Sequence, residues 1–274
     1  MKTIIAPTDF SVTSRNAANY AADLANFLNA NLVLLNVVEV PIAASEIPVS
    51  ETVFDDMLSM AEQDLDNLGS KLTIRTNGQI EIITRVVMGT VATQIKEIAE
   101  EYEPFAIVMG KKAGYSLERI MLGSSTLSSV KHNPYPILVV PENIPFKGIR
   151  KVGLACDLQD VAETIPFKLL NDWLSVFNPS LDIIHLSKQE EDLKSQDTAE
   201  SVSLGNHLNK FKPVFHFLHG DKLAVRLNEF AREQQLDLLI VVPKKHGFLA
   251  LLDKKYSGDI ITHNDTPILA VHVS

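Results

Sequence analysis

The stretch His-Asn-Pro-Tyr-Pro-Ile-Leu-Val-Val at residues 132–140 recurs as His-Asn-Asp-Thr-Pro-Ile-Leu-Ala-Val at residues 263–271. The two copies lie 131 residues apart (263 − 132), and further segments repeat at comparable offsets. A period this long that occurs only twice indicates two related domains rather than a solenoid. Because the Pro- and Gly-bearing stretch 141–148 is linker-like, we expect domains at residues 1–146 and 149–274.

Within each half, short apolar runs alternate with amphipathic stretches. Helical spacing of apolar residues predicts four helices in the first half, of which the fourth contains Leu127 and Val130. Strand–helix alternation predicts a mostly parallel sheet with helices on both faces, and therefore a doubly wound α/β fold with five strands in each half. The five strand-length runs of the first half are residues 4–6, 32–38, 80–88, 105–109 and 137–140.

Composition excludes several classes of protein. The 274 residues are 46% hydrophobic and contain one cysteine, so a disordered chain, a disulfide-stapled scaffold and a cysteine-based zinc site are all excluded. The net charge of −9 makes a nucleic-acid partner a poor hypothesis. No apolar run approaches the roughly 18 residues of a membrane span, and the first residues lack a signal-peptide core, so we expect a cytoplasmic protein without a membrane partner.

Two loops of the first half follow strands at the place where doubly wound sheets bind ligands. One is Pro7-Thr8-Asp9, and the other runs from Gly110 to Gly123-Ser124-Ser125 before the fourth helix. Glycines allow close backbone approach, and the N–H groups at a helix start attract anions, so this second loop predicts a phosphate cradle. The Asp9 carboxylate can accept hydrogen bonds from a base or a ribose.

These residues resemble the universal stress protein family, in a tandem arrangement of two domains. The resemblance rests on Pro-Thr-Asp-Phe-Ser at residues 7–11, Val-Met-Gly at residues 108–110, and Gly-Ser at residues 123–124 before a helix that ends in His-x-Pro-x-Pro-Ile-Leu-Val-Val. It covers nearly all of residues 1–146 and, more weakly, 149–274. It implies an adenine nucleotide alpha hydrolase-like fold and a stress-response role. The residues themselves present no catalytic set and no metal site, so we expect no enzyme, or at most slow ATP hydrolysis or nucleotidyl transfer.

The resemblance also implies a ligand, ATP or another adenine nucleotide, which Mg²⁺ can accompany. In the ATP-binding branch the loop reads G-x2-G-x9-G-[S/T]; here the middle glycine is Ala113, and Gly114 comes one place later. Adenine is implied near Asp9 and the backbone of Val37, with ribose and phosphates along the loop. The implied nucleotide-binding residues are Pro7, Thr8, Asp9, Val37, Met109, Gly110, Ala113, Gly114, Gly123, Ser124 and Ser125. The alternative is a scaffold that binds no nucleotide and acts through protein or small-molecule partners, because Ala113 has abolished binding.

The second half departs further from the pattern. Its corresponding loop lacks a glycine at the first place, and Lys254 stands where Gly123 is expected, so we interpret this half as a degenerate copy. Four lysines gather in that region, which leaves open either an anionic ligand or a solvated basic loop. They are Lys244, Lys245, Lys254 and Lys255.

The remaining features bear on partners and on the core. Family members commonly dimerise through the last strand, so the apolar runs 136–140 and 267–271 imply an intramolecular pseudo-dimer, with a further homodimer left open. Cys156 reads as a buried, inert thiol, and His216 and His219 point to opposite faces of a strand. The methionines are expected to fill the core: Met57, Met60, Met88, Met109 and Met121.

Overall fold

A computed structural model describes residues 1–39, 51–111, 133–156, 158, 160–187, 199–220, 223–242 and 266–272. These residues form two compact units. The N-terminal unit comprises the described residues up to Phe146, and the C-terminal unit comprises those from Lys147 onward. Each unit is an α/β structure built on a parallel sheet.

The sheet of the N-terminal unit has the strand order β3-β2-β1-β4-β5, and all of its neighbouring strands are parallel. The chain moves outward from β1 to β3 and then returns to the other side of β1, so strand order reverses between β1 and β4. The strands are β1 Thr3–Pro7, β2 Asn31–Val38, β3 Ile82–Met88, β4 Ala106–Lys111 and β5 Ile137–Pro141.

Three helices of this unit are described: α1 Val12–Leu28, α2 Glu51–Arg75 and α3 Val91–Tyr102. Ser11 is the N-cap of helix α1, since its hydroxyl accepts a hydrogen bond from the Ser14 N–H at 3.2 Å. Its buried alanines let it pack closely on β1, β4 and β5. The predicted fourth helix lies outside the described residues.

The segment after β5 packs back onto α1. The Asn16 amide donates to the Pro141 carbonyl at 3.0 Å. The Phe146 ring makes edge-on contacts with Tyr20 and Phe27, at centroid distances of 5.3 and 5.7 Å. Aromatic pairs in this geometry contribute stabilising free energy beyond that of the apolar area they bury. These contacts attach residues up to Phe146 to the N-terminal unit.

The C-terminal unit repeats the same topology, with the strand order β8-β7-β6-β9-β10 and parallel neighbours. The expected fold of two doubly wound domains with five strands each is therefore confirmed. Its strands are β6 Lys151–Cys156, β7 Ser180–Ser187, β8 Val214–His219, β9 Leu238–Val241 and β10 Ile268–Ala270. Its described α-helices are α4 Val161–Thr164, α5 Phe167–Phe177, α6 Ala199–His207 and α7 Leu223–Glu233, and a 3-10 turn spans Asn209–Phe211.

The first helical segment differs between the units. Where α1 runs without interruption, the C-terminal unit has the short α4, an extended residue at Ile165 and then α5. Pro166 accounts for the break, because proline lacks an N–H and disfavours a helical conformation in the residue before it. The sheets of the two units are therefore more alike than their first helices are.

Most strand residues are fully buried, as their apolar composition predicts. Cys156 is buried, as expected. The expectation that the methionines fill the core holds for Met109, which is 5% exposed, but it is wrong for Met57, Met60 and Met88. Met57 and Met60 lie on an exposed side of α2, and Met88 is the last residue of the edge strand β3. Met121 lies outside the described residues.

None of the helices in the described ranges combines the length and apolar composition needed to cross a bilayer. The expected pairing of the last strands of the two halves stays a prediction.

Candidate functional site

The turn after β1 is held in place by its own polar side chains. The Thr8 N–H donates to the Leu35 carbonyl of β2 at 2.8 Å, and the Asn36 amide donates to the Thr8 carbonyl at 2.7 Å. The Thr8 and Ser14 hydroxyl oxygens lie 3.0 Å apart. These contacts fix the carboxyl end of β1 against both β2 and the first turn of α1, beside the point where strand order reverses.

Asp9 projects from this turn and is exposed. Its Oδ1 atom accepts a hydrogen bond from the Ser11 N–H at 3.0 Å, and the carboxylate retains capacity to accept from a ligand. Partial burial alone raises the pKa of Asp9, but the side chains of Ser11 and Ser14 and the Ser11 N–H stabilise the carboxylate and lower the pKa below its ordinary value. Asp9 is therefore an anion at neutral pH, and this state is lost only as the pH falls through the lowered pKa.

Phe10 adopts a left-handed backbone conformation, with a φ of 60°. Such a conformation is costly for a bulky residue and persists only where the surroundings enforce it. The Phe10 N–H donates to the Thr8 hydroxyl at 3.1 Å, which is one of the contacts that enforce it. In the C-terminal unit, Leu158 follows β6 at the corresponding place and also has a positive φ, of 50°. Both units thus have a residue with a positive φ shortly after their first strand.

Gly110 is the second-last residue of β4 and lies next to the first turn of α1. A Cβ atom at this position would lie 2.6 Å from the Thr13 carbonyl oxygen and 2.8 Å from the Thr13 Cγ2 atom. The absence of a side chain therefore lets α1 approach β4 closely. The requirement for glycine here comes from helix–strand packing as well as from any ligand.

Six of the predicted nucleotide-binding residues are described, and they surround one end of the sheet. Pro7, Thr8 and Asp9 end β1, Val37 is a half-buried residue near the end of β2, and Met109 and Gly110 lie near the end of β4. The other five predicted residues, Ala113, Gly114, Gly123, Ser124 and Ser125, lie outside the described residues.

Sequence reasoning missed two supports of this site. Asn36 holds the Thr8 carbonyl, and its signal was a single amide inside the otherwise apolar run of β2. Thr13 sets how closely α1 approaches Gly110, but nothing in the sequence points to that contact.

The corresponding edge of the C-terminal unit has different chemistry. Cys156 at the end of β6 and His185 on β7 are neighbours in register, and both are buried. The N–H at the start of α4, on Val161, donates to the Glu200 carboxylate at 2.9 Å. In this unit a carboxylate of the protein itself thus binds an N–H group at a helix N-terminus. An anionic ligand at this helix would have to compete with that carboxylate. The four lysines Lys244, Lys245, Lys254 and Lys255 lie outside the described residues.

A cluster of three polar side chains, Asp182, His216 and Lys151, lies on one face of this sheet. Asp182 on β7 is 6% exposed. Its Oδ1 atom lies 2.8 Å from His216 Nε2, and its Oδ2 atom lies 3.6 Å from Lys151 Nζ. The His216 ring also packs against Phe230 of α7, at a centroid distance of 4.7 Å. Because Asp182 is the third residue of its strand, this cluster lies away from the carboxyl edge and serves packing.

Replacing Asp182 with alanine is expected to destabilise the C-terminal unit by about 1–3 kcal/mol, because it leaves Lys151 and His216 without their carboxylate. Asp182→Asn should recover part of this loss by keeping an acceptor for His216. Trp173, the single tryptophan, is buried in the same unit, so its fluorescence during urea unfolding measures the change. Glu233→Ala, which removes an exposed carboxylate from α7, is the control; equal midpoints for both alanine variants would contradict the assigned role.

Comparison with known proteins supports the relationship seen in the motifs. The family model described as the universal stress protein family matches residues 1–141, just over half of the chain. The universal stress protein MJ0531 of Methanocaldococcus jannaschii is 31% identical over 140 residues, which are 51% of this chain and 81% of that protein. The universal stress protein MJ0577 of the same organism is 28% identical over 157 residues, covering 51% of this chain and 94% of the relative.

A solved structure extends the likeness to the whole chain. The crystal structure of a universal stress protein from Archaeoglobus fulgidus aligns with a TM-score of 0.71, covering 98% of this chain and 96% of that one. At 16% identity this alignment shows a shared fold. The match of the family model to more than half of the sequence, on a unit with the expected strand order and site turn, establishes that the chain belongs to the universal stress protein family.

Proposed function

We propose that the N-terminal unit binds ATP or a related adenine nucleotide at the carboxyl ends of β1 and β4, and that the chain is a nucleotide-responsive stress protein. The observation that carries the proposal is the Asp9 carboxylate, which is exposed, ionised and held by the Ser11 N–H at the point where strand order reverses. Ligands of doubly wound sheets bind at such points.

The residues present fit this ligand in their chemistry. A carboxylate accepts hydrogen bonds, so Asp9 can accept one from the amino group of adenine or from a ribose hydroxyl. The half-buried Val37 lies near the end of β2 and Gly110 near the end of β4, so both have backbone groups at the same edge of the sheet as Asp9. The sequence from Gly110 to Ser125 keeps the first and last glycines of the family's phosphate loop, Gly110 and Gly123, and Mg²⁺ can accompany the phosphates.

We infer that the C-terminal unit does not share this role. Its corresponding loop lacks the first glycine, and Glu200 binds the N–H at the start of α4 at 2.9 Å. A buried imidazole, His185, stands on β7 where Asn36 stands on β2. This unit would keep the fold while the N-terminal unit binds the nucleotide.

A scaffold that binds no nucleotide is the second candidate, favoured by Ala113 at the place of the family's middle glycine. If that position requires a positive φ, alanine costs about 1 kcal/mol or more. In either case we propose a binding role rather than a catalytic one.

Thermal unfolding of the full chain with and without Mg-ATP distinguishes these candidates. A ligand that binds only the folded state stabilises it by RT ln(1 + [L]/Kd), which is about 2.7 kcal/mol at a hundredfold excess over Kd. We expect Mg-ATP to raise the unfolding temperature by several degrees, and Mg-CTP at the same ionic strength to have a much smaller effect. An unchanged unfolding temperature at millimolar Mg-ATP would favour the scaffold.

A further inference from the structure

The hydrogen-bond ladder between β1 and β2 ends one bond early, at the edge where the nucleotide is proposed to bind. In a regular parallel pair, a residue donates its N–H to the carbonyl of one neighbour and accepts at its own carbonyl from the N–H two positions further along the same strand. The Thr8 N–H follows this pattern and donates to the Leu35 carbonyl at 2.8 Å. Among the described residues, the next bond of the pattern, from the Val37 N–H to the Thr8 carbonyl, is not formed. The Val37 N–H, which points to the same side of β2 as the Leu35 carbonyl, is thus left at the end of the ladder.

A side chain takes the place of the missing backbone bond. Asn36 Nδ2 donates to the Thr8 carbonyl oxygen at 2.7 Å, and both residues are 6% exposed. A buried carbonyl needs a donor, because leaving it unpaired costs free energy. The Asn36 amide supplies that donor, so the Thr8 carbonyl is satisfied without the Val37 N–H.

The same contact from Asn36 bears on how the chain leaves β1. The peptide between Thr8 and Asp9 is trans, so its carbonyl and its N–H point in opposite directions. Burial raises the pKa of Asp9, whereas the side chains of Ser11 and Ser14 and the N–H groups of Ser11 and of Asp9 itself lower it. Holding the Thr8 carbonyl therefore also fixes the direction of an N–H that helps to hold the Asp9 carboxylate.

We propose that Asn36 is a positioning residue of the nucleotide site, an inference that rests on the function proposed above. By holding the Thr8 carbonyl, its amide keeps the Val37 N–H open to the ligand. The same hydrogen bond directs Asp9 at the end of β1.

Removing the Asn36 amide would change the donors at this edge. The Thr8 carbonyl would then take the Val37 N–H, because that bond is the next one of the regular parallel pattern. The ladder would close by one bond, and the site would lose a backbone donor. Asn36 is buried and its amide is engaged, so it acts through these neighbours and does not contact the nucleotide.

Calorimetric titration of the full chain with Mg-ATP, well below the unfolding temperature of each variant, tests this role. Asn36→Leu keeps a side chain of similar size without a donor, and it should weaken binding by about tenfold or more. Asn36→His should keep the Kd within about threefold of the wild-type value, because an imidazole N–H can donate to the carbonyl. The C-terminal unit accommodates an imidazole, that of His185, at the corresponding place.

Thr76→Val is the matched control for a general loss of stability. Thr76 is 1% exposed, and its hydroxyl donates to the Leu72 carbonyl at 3.0 Å. Because Thr76 lies between the end of α2 and the start of β3, this variant removes a buried hydrogen bond at the opposite edge of the sheet. Thermal unfolding should show a lower unfolding temperature for both Thr76→Val and Asn36→Leu, but only Asn36→Leu should change the Kd.

A wild-type chain that binds no Mg-ATP would refute the proposed function and this role together. If the wild-type chain binds, an unchanged Kd for Asn36→Leu would overturn the role of Asn36 alone. Equal weakening by Asn36→His would overturn it too, because the donor would then not be the cause, and so would equal weakening by Thr76→Val. Circular dichroism checks folding; if Asn36→Leu is not folded, Asn36→Ser, whose side chain is too short to span the contact, is titrated in its place with the same expected loss.

Discussion

Gly110→Ala is expected to destabilise the N-terminal unit by about 2–3 kcal/mol, since it inserts a methyl group into a tightly packed contact. The new Cβ atom would lie 2.6 Å from the Thr13 carbonyl oxygen and 2.9 Å from its carbonyl carbon. These are backbone atoms of α1, so they cannot rotate away as a side-chain end can. Helix α1 is also held by its Ser11 cap and by the contact of Asn16 with Pro141, so relieving the clash means loosening those contacts.

Gly69→Ala provides a control of opposite sign in the same unit. A Cβ atom there would meet Thr84 Cγ2 at 3.4 Å, an ordinary contact, and alanine is favoured over glycine inside a helix such as α2. This variant should leave stability unchanged or raise it by up to about 1 kcal/mol. Thermal unfolding followed by circular dichroism measures both variants. Equal stability of Gly110→Ala and the wild-type chain would show that the close approach of α1 to β4 is not as described.

Asp9→Ala is expected to weaken ATP binding by about 10- to 100-fold. Hydrogen bonds to a charged group contribute roughly 1.5–3 kcal/mol, and each 1.4 kcal/mol corresponds to a factor of ten in Kd. Folding should be little affected, because Asp9 is exposed and the cap of α1, formed by the Ser11 hydroxyl and the Ser14 N–H, does not involve it. Isothermal titration calorimetry with Mg-ATP gives the change in Kd.

Two further variants separate the charge of Asp9 from its role in the turn. Asp9→Asn keeps an oxygen for the Ser11 N–H but removes the negative charge and one acceptor, so most of the loss should remain. Asp56→Ala removes an exposed carboxylate from α2 and should leave the Kd unchanged. If Asp56→Ala weakened binding as much as Asp9→Ala, the effect would be one of net charge rather than of the site.

The strands could be predicted from the sequence because their physical signal is local. Exposing runs of Val, Ile and Leu such as residues 32–38 to water costs much free energy, so such runs predict buried strands. Their repetition in both halves predicted that the two halves share one topology. The motif Pro-Thr-Asp-Phe-Ser likewise placed Asp9 correctly at the end of β1. Pattern and position were enough for these features.

The remaining features depend on contacts that a sequence does not show. The methionines of α2 have the helical spacing of a core helix, but Met57 and Met60 are exposed because the packed side of α2 is a different one, which carries Leu58, Leu65 and Leu72. The role of Gly110 in packing depends on Thr13, which is 97 positions away along the chain (110 − 13). The hydrogen bond between Asp182 and His216 joins two strands whose register had first to be known.

The stoichiometry of ATP binding to the full chain is the most direct test of the account. Calorimetric titration with Mg-ATP should give one site per chain, and Asp9→Ala should remove or strongly weaken that site. A stoichiometry of two would contradict the assignment of binding to the N-terminal unit alone. The absence of binding at millimolar ATP, or one site that Asp9→Ala leaves unchanged, would contradict the nucleotide site itself.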